Sequence, residues 1–111
     1  MRRIVIAGGQ GFFGRTAAER LRAEGLQPLC AGRRPGADLR LNVEDPASLR
    51  AALRPGDVVL DTVGPFQDRT TALAEAALEI GFDLIDIADS RAYVQKLYAL
   101  RARFAASSVR L

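Results

Sequence analysis

The chain has 111 residues, 49% hydrophobic and 26% charged, enough for one domain over 1–111 but short for a complete enzyme. Its single Cys excludes an internal disulfide, and the absence of His removes the commonest metal ligand and general base, so no metal site is expected. No apolar run nears the ~20 residues that span a bilayer and no signal peptide precedes the first strand, so the expectation is a cytoplasmic chain with no membrane partner.

The net charge of +3 is unevenly spread. Residues 1–34 carry seven Arg against two Glu, residues 35–90 four Arg against eleven acids, and residues 91–111 four Arg and one Lys with no acid. A positive first third suits an anionic ligand. The acidic middle interrupts any basic track and aromatics are few, which argues against nucleic acid as a partner.

The first element is "RRIVIA", a β-branched run that predicts a buried parallel strand over 2–7. The turn "GGQGFFG" follows, where Gly9, Gly11 and Gly14 read G-x-G-x-x-G and Gly8, Gly11 and Gly14 read G-x-x-G-x-x-G. A helix is predicted over 13–25, with Ala17, Ala18 and Leu21 on one face and Gly25 as its stop. Strand, glycine turn and helix in this order are the context that the dinucleotide-binding fingerprint requires. One glycine permits the tight turn, a second lets the backbone approach a pyrophosphate, and a third lets helix and strand pack closely. The helix N-terminus adds free N–H groups and a positive dipole end. The competing reading is a glycine turn with a structural role only.

A second strand is predicted over 27–32, with Cys30 a small buried hydrophobe rather than a nucleophile. About twenty residues past such a glycine turn, NAD-preferring domains place an acid that accepts from the ribose 2′-OH. Here "AGRRPG" puts Gly32 at that place, followed by Arg33 and Arg34. Guanidinium forks without a nearby acid suit a 2′-phosphate, so NADP is favoured over NAD. A solvated turn is the bland alternative.

"LRLNV" is a short strand, after which Asn42 either meets an adenine edge or serves the turn. "EDPASLRAAL" is a helix with Asp45 as N-cap and Pro46 first, closed by Pro55-Gly56. "DVVLDTV" is the fourth strand. In the loop "GPFQD", Gly64 and Pro65 either end the strand or contact a ligand. Asp68 is expected to cap the helix "RTTALAEAALEIG", whose Leu73, Ala77 and Ile80 face the sheet.

"FDLIDIA" is a fifth strand, with Asp86 and Asp89 flanking its end. Asp89 or Ser90 caps the helix "SRAYVQKLYALRARFAA"; the sharper alternative has Asp89 reaching a nicotinamide ribose or a substrate. Tyr93 and Lys96 are one residue too close for the Tyr-x-x-x-Lys pair of short-chain dehydrogenases and read as one helix face. "SSVRL" reads as the start of a sixth strand.

Alternating βα units predict an α/β, doubly wound parallel sheet of the Rossmann type, strand order 3-2-1-4-5 with room for a sixth. Ligands bind such sheets beyond the carboxyl ends of the strands, which nominates the loops 8–14, 32–36, 62–67 and 87–91 as one site.

Taken together, "GGQGFFGRTAAERL", "AGRRP", "DTVGPFQ" and "DIADSRAYV" resemble the N-terminal NADP-binding domain of the saccharopine dehydrogenase-like oxidoreductases. The resemblance runs over roughly residues 3 to 111, and the Gly-Pro-Phe loop followed by "DIAD" is its most specific part. It implies that Gly8, Gly9, Gly11, Phe12, Phe13 and Gly14 surround the pyrophosphate. Arg33 and Arg34 would meet the 2′-phosphate, and Gly64, Pro65 and Phe66 would line the adenosine-to-nicotinamide side. It also implies a further domain, absent from this chain, that binds substrate and forms a dimer. Self-association through an open, partly apolar face near Phe66 follows as a reading kept open.

The leading expectation is a domain that holds NADP(H) for hydride transfer to or from an imine or carbonyl-type substrate. Two readings of other classes compete. One is a non-catalytic NADP sensor related to atypical short-chain dehydrogenases, the other a nucleotide-binding module of a channel or transporter.

Overall fold

Ile4–Ala7 forms β1, and Val5, Ile6 and Ala7 are fully removed from solvent. A strand apolar on both faces is stable only where both are covered, the arrangement of a parallel sheet between helices. In the computed structural model, which describes residues 2–88 and 90–111, β1 is the middle of five strands. The others are β2 (Leu29–Gly32), β3 (Leu39–Arg40), β4 (Val58–Asp61) and β5 (Asp83–Asp86). All pairings are parallel and the order is β3-β2-β1-β4-β5, as the βα alternation predicts.

The helices are α1 (Phe12–Ala23), α2 (Pro46–Ala52), α3 (Ala72–Ala76), α4 (Arg91–Tyr98) and α5 (Arg101–Ala105). Asp45 caps α2 through its Oδ1, which accepts from the Ala47 N–H at 3.0 Å, and Pro46 takes the first helical position. Ser90 caps α4 by accepting from the Tyr93 N–H. Leu49, Leu73, Ala74, Ala77 and Phe82 join Val5, Val59, Leu84 and other strand side chains in one continuous core.

Register decides what gathers at the carboxyl edge. Ala7 lies opposite both Ala31 and Asp61, and Asp61 lies opposite Asp86. Side chains in register on parallel strands share a face, so two carboxylates stand side by side on strands roughly 4.8 Å apart. At the other edge, Arg3 forks onto Asp57, with Nε to Oδ1 at 2.9 Å and Nη2 to Oδ2 at 2.7 Å. Asp57 is buried and also accepts from the Arg54 N–H, so this pair joins β1 to the turn before β4.

Four local expectations need correction. Asp68 does not cap the third helix; it ends a 3₁₀ turn, Phe66–Asp68, and α3 starts at Ala72 with Thr71 as an N-cap that makes no side-chain cap bond. The cause is Arg69, whose extended backbone is set by the reach of its side chain into the sheet edge. The end of that helix is a π-helical turn, Ala77–Gly81, and Ile80 is only partly buried. The last helix is two, broken at Ala99–Leu100. No sixth strand forms among the described residues. Arg110 instead makes one backbone bond to β5, accepting from Leu84 N–H at 2.8 Å, while its own N–H goes to the Asp83 carboxylate.

Arg3→Ala strands the buried Asp57 carboxylate and should cost about 1–3 kcal/mol of stability. Chemical denaturation checks this, and dinucleotide affinity of the folded variant should be unchanged, because the pair lies at the edge opposite the cleft.

Candidate functional site

Beyond the carboxyl ends of β1, β2, β3 and β4 lies a cleft of about 770 Å³, within the size range of ligand sites. Its walls are the glycine turn (Gly8, Gln10, Gly11), the end of β2 and its loop (Ala31–Pro35), residues 41–44, and Thr62–Pro65 with Asp68 and Arg69. Three of the four loops nominated by topology meet here. The described residues of the fourth, 87–91, do not line it, and Asp89 lies outside the described residues.

The glycines of the turn have different reasons to be glycine. Gly8 is left-handed (φ +83), and a Cβ there would stand 2.7 Å from Thr62 Oγ1. A Cβ on Gly9 would come 2.6 Å from the Cys30 Cβ, and one on Gly14 would overlap the Gly8 carbonyl. These three positions are fixed by packing of turn against strand and helix. Gly11 is not. Its φ is −85 and the nearest atom to an added Cβ is the Gly8 carbonyl oxygen at 3.4 Å, an ordinary contact. Gly64, which also lines the cleft, has an ordinary φ and nothing within 4 Å of a Cβ. The protein leaves room for side chains at both places and supplies none.

Gly11 is also the N-cap of α1, which has no side-chain cap and no acid in its first turn. The first amides of α1 and the positive end of its dipole are therefore left for an anion from outside the chain. Arg33 and Arg34 line the cleft and are exposed, and no ion pair claims either among the described residues.

The floor is a buried charge network that sequence reasoning missed. Arg69 is 5% exposed and forks onto the fully buried Asp61, Nη1 to Oδ1 at 3.0 Å and Nη2 to Oδ2 at 2.9 Å. Its Nε donates to Glu44 at 2.9 Å and its Nη1 also to the Val63 carbonyl at 2.7 Å. Burial would lower the Arg69 pKa, but Asp61 outweighs it and holds the guanidinium above its ordinary value. Burial likewise raises Glu44, and the Thr70 hydroxyl and amide together with Arg69 bring it below the usual carboxylate range. The signal was an Asp inside the apolar run "DVVLDTV", a charge that a buried strand end tolerates only with a partner.

Beside this pair, Asp86 accepts from the Ala88 N–H at 2.6 Å, while its Oδ2 and the buried Tyr93 hydroxyl have no hydrogen-bond partner among the described residues. Burial pushes Asp86 up to about 6, reinforced by the neighbouring Asp61 carboxylate. Burial pushes the Tyr93 hydroxyl up as well, against the pull of Arg69.

Other predicted site residues fall elsewhere. Phe66 is corrected: it is 7% exposed and packs into the core against Tyr93, ring centroids 5.4 Å apart, rather than lining the cleft. The Arg69 guanidinium lies 5.6 Å from the centroids of both rings, which holds Phe66 under the floor. Phe12 and Phe13 open α1, 74% and 63% exposed, packed edge-on against each other and outside the cleft lining. Asn42 lines the cleft, and its Oδ1 accepts from the Glu44 N–H, so it serves the turn from a cleft position. Cys30 is half-buried rather than buried, with Arg22 Nη2 3.8 Å from its sulfur.

Fold and cleft define a Rossmann-type dinucleotide-binding domain. Residues 31–111 match the saccharopine dehydrogenase NADP binding domain, and the chain belongs to that family. The bound cofactor of such a domain is a nicotinamide dinucleotide. The glycine turn precedes the matched span, so its role rests on its own geometry. Among solved structures, UDP-N-acetylglucosamine 4-epimerase from Bacillus cereus is 16% identical at a TM-score of 0.64, over 98% of this chain and 58% of that one. A protein of Burkholderia pseudomallei is 25% identical at a TM-score of 0.55, over 96% of this chain and 66% of that one. The chain thus spans less than two thirds of either, and the likeness to the epimerase shows the fold alone. No curated protein matches the chain. No helix among the described residues is long and apolar enough to cross a membrane.

Two outcomes follow from the site. Gly11→Val should leave the domain folded at a cost of about 1 kcal/mol or less from the N-cap and abolish dinucleotide binding, whereas Gly14→Ala should destabilise the fold by about 1–3 kcal/mol. Calorimetry of both variants, with and without cofactor, reads the contrast. For Asp86, the folded value of about 6 lies above the ordinary 3.8, so the native state holds the proton more tightly than the unfolded chain. Stability from this group is present below 3.8 and lost as pH rises through 6. Asp86→Asn should match the wild type at the low end and exceed it by about 1–3 kcal/mol at pH 7. A difference independent of pH contradicts the assignment.

Proposed function

We propose that the cleft binds NADP(H) in preference to NAD(H), and that the domain serves an oxidoreductase moving hydride to or from an imine or carbonyl-type substrate. The observation that carries the reading is the pair Gly11 and Gly64, glycines that neither φ nor packing requires, both lining one cleft. Space kept clear where the protein has no use for it is space for a ligand's close approach. Family membership names the ligand class.

In this reading the pyrophosphate lies over Gly8–Gly14, where the α1 amides and dipole replace part of its hydration. Arg33 and Arg34 take the 2′-phosphate, with Gly32 in place of the acid that would repel it. Asn42 borders the adenosine end, and Gly64 with Pro65 forms the opposite wall. When bound, the cofactor supplies or accepts the hydride; the domain orients it and supplies no general acid. Of the carboxylates in the lining, Glu44 is held by Arg69 and Thr70, and Asp68 is exposed to solvent. Substrate positioning and proton transfer are assigned to a further domain of the family, so this chain alone should not turn over.

Titration calorimetry with both cofactors tests the reading. NADP should bind more tightly than NAD, and Arg33→Ala or Arg34→Ala should cost about 1.5–3 kcal/mol of NADP affinity while changing NAD little. Equal affinities, or tighter NAD binding, overturn it.

A further inference from the structure

Gln10 is the one residue of the glycine turn with a long polar side chain, and it lies half-buried along the cleft wall. Its Nε2 donates to the Pro35 carbonyl at 3.2 Å. A Cβ on Gly32 would stand 3.1 Å from its Oε1, and one on Gly36 would stand 3.8 Å from its Nε2. The amide therefore fills the gap between the end of β2 and the far side of its loop, and it spans Arg33 and Arg34 from behind. Position 32 is where an NAD-type domain places its acid. An acidic side chain there would have to push against Gln10, and it would bring one acceptor onto another. Turning the amide over would offer Nε2 to the acid only by withdrawing it from Pro35.

Resting on the NADP reading above, we infer that Gln10 sets the preference for NADP over NAD. It does so by bracing the Arg33–Gly36 loop and by occupying the space that an acid at position 32 would need. It is a positioning residue, with Arg33 and Arg34 as the groups that touch the phosphate. Bracing acts only on contacts made by that loop, so the signature is a change in the ratio of the two affinities. A side chain that merely filled space would move both affinities, or the melting temperature, together.

The experiment is titration of NADP and NAD into the wild type, Gln10→Met, Gly32→Asp and the double variant Gln10→Ala/Gly32→Asp, with melting temperatures recorded for each. Gln10→Met keeps the bulk and loses the amide; it should weaken NADP about three- to tenfold and leave NAD within about twofold. Gly32→Asp alone should weaken both cofactors, and the double variant should recover NAD binding and prefer it. Loss of both affinities in equal measure on Gln10→Met, or no change in either, overturns the inference. So does NAD preference in Gly32→Asp with Gln10 still present. A wild type that prefers NAD is a different failure, that of the NADP reading, and takes this inference with it.

Discussion

The fork between Arg69 and Asp61 is the contact on which the cleft depends. A carboxylate at the end of a central strand, with no exposure to solvent, can remain charged there only if a cation is brought to it. Arg69 comes from the far side of the loop after β4, and to reach Asp61 it gives up helical backbone and delays α3 until Ala72. On the way it gathers Glu44 from the β3–α2 loop and the Val63 carbonyl just past Asp61, so that two separate segments share one guanidinium. A buried pair of this kind adds little net stability. What it fixes is position, because the walls at 41–44 and 62–65 cannot move apart without separating the charges.

The same logic divides the molecule into two edges. At the amino edge of the sheet, Arg3 and Asp57 form a second fork that joins strands. At the carboxyl edge the fork borders a cavity whose lining includes four glycines, Gly8, Gly11, Gly32 and Gly64. Side chains line it too, and at the β2 loop Arg33 and Arg34 carry charge that no ion pair claims among the described residues. A glycine-rich lining with two arginines at its rim is complementary to an extended anion with one additional phosphate.

Much of this was legible in the residues. The run "RRIVIA" followed by glycines and a 3.6-periodic segment can fold in few ways, and βα alternation fixed the strand order. Asp45-Pro46 and Ser90 mark helix starts through local chemistry, which sequence carries well. Two of the misplaced features depend on long-range partners. Asp68 matched a cap pattern, but Arg69 was already committed to Asp61 across the sheet edge. Phe66 followed the family's Gly-Pro-Phe loop toward the cofactor, whereas Tyr93 and Arg69 drew its ring into the core. Gln10 sits at a variable position of the glycine motif, and its significance exists only once the loop at 32–36 is folded beside it. The hidden reason for each glycine was likewise spatial: motif spacing treats Gly11 and Gly14 alike, while packing separates them.

The most direct test of the central claim is a residue-resolved NMR titration of the chain with NADP. The account predicts amide shift changes confined to the Gly8–Gly14 turn, the Arg33–Gly36 loop and the segment around Gly64. Repeating the titration with NAD should remove the changes at Arg33 and Arg34 while keeping those at Gly11. Shifts that avoid the glycine turn, or that are the same at Arg33 and Arg34 for both cofactors, would contradict it.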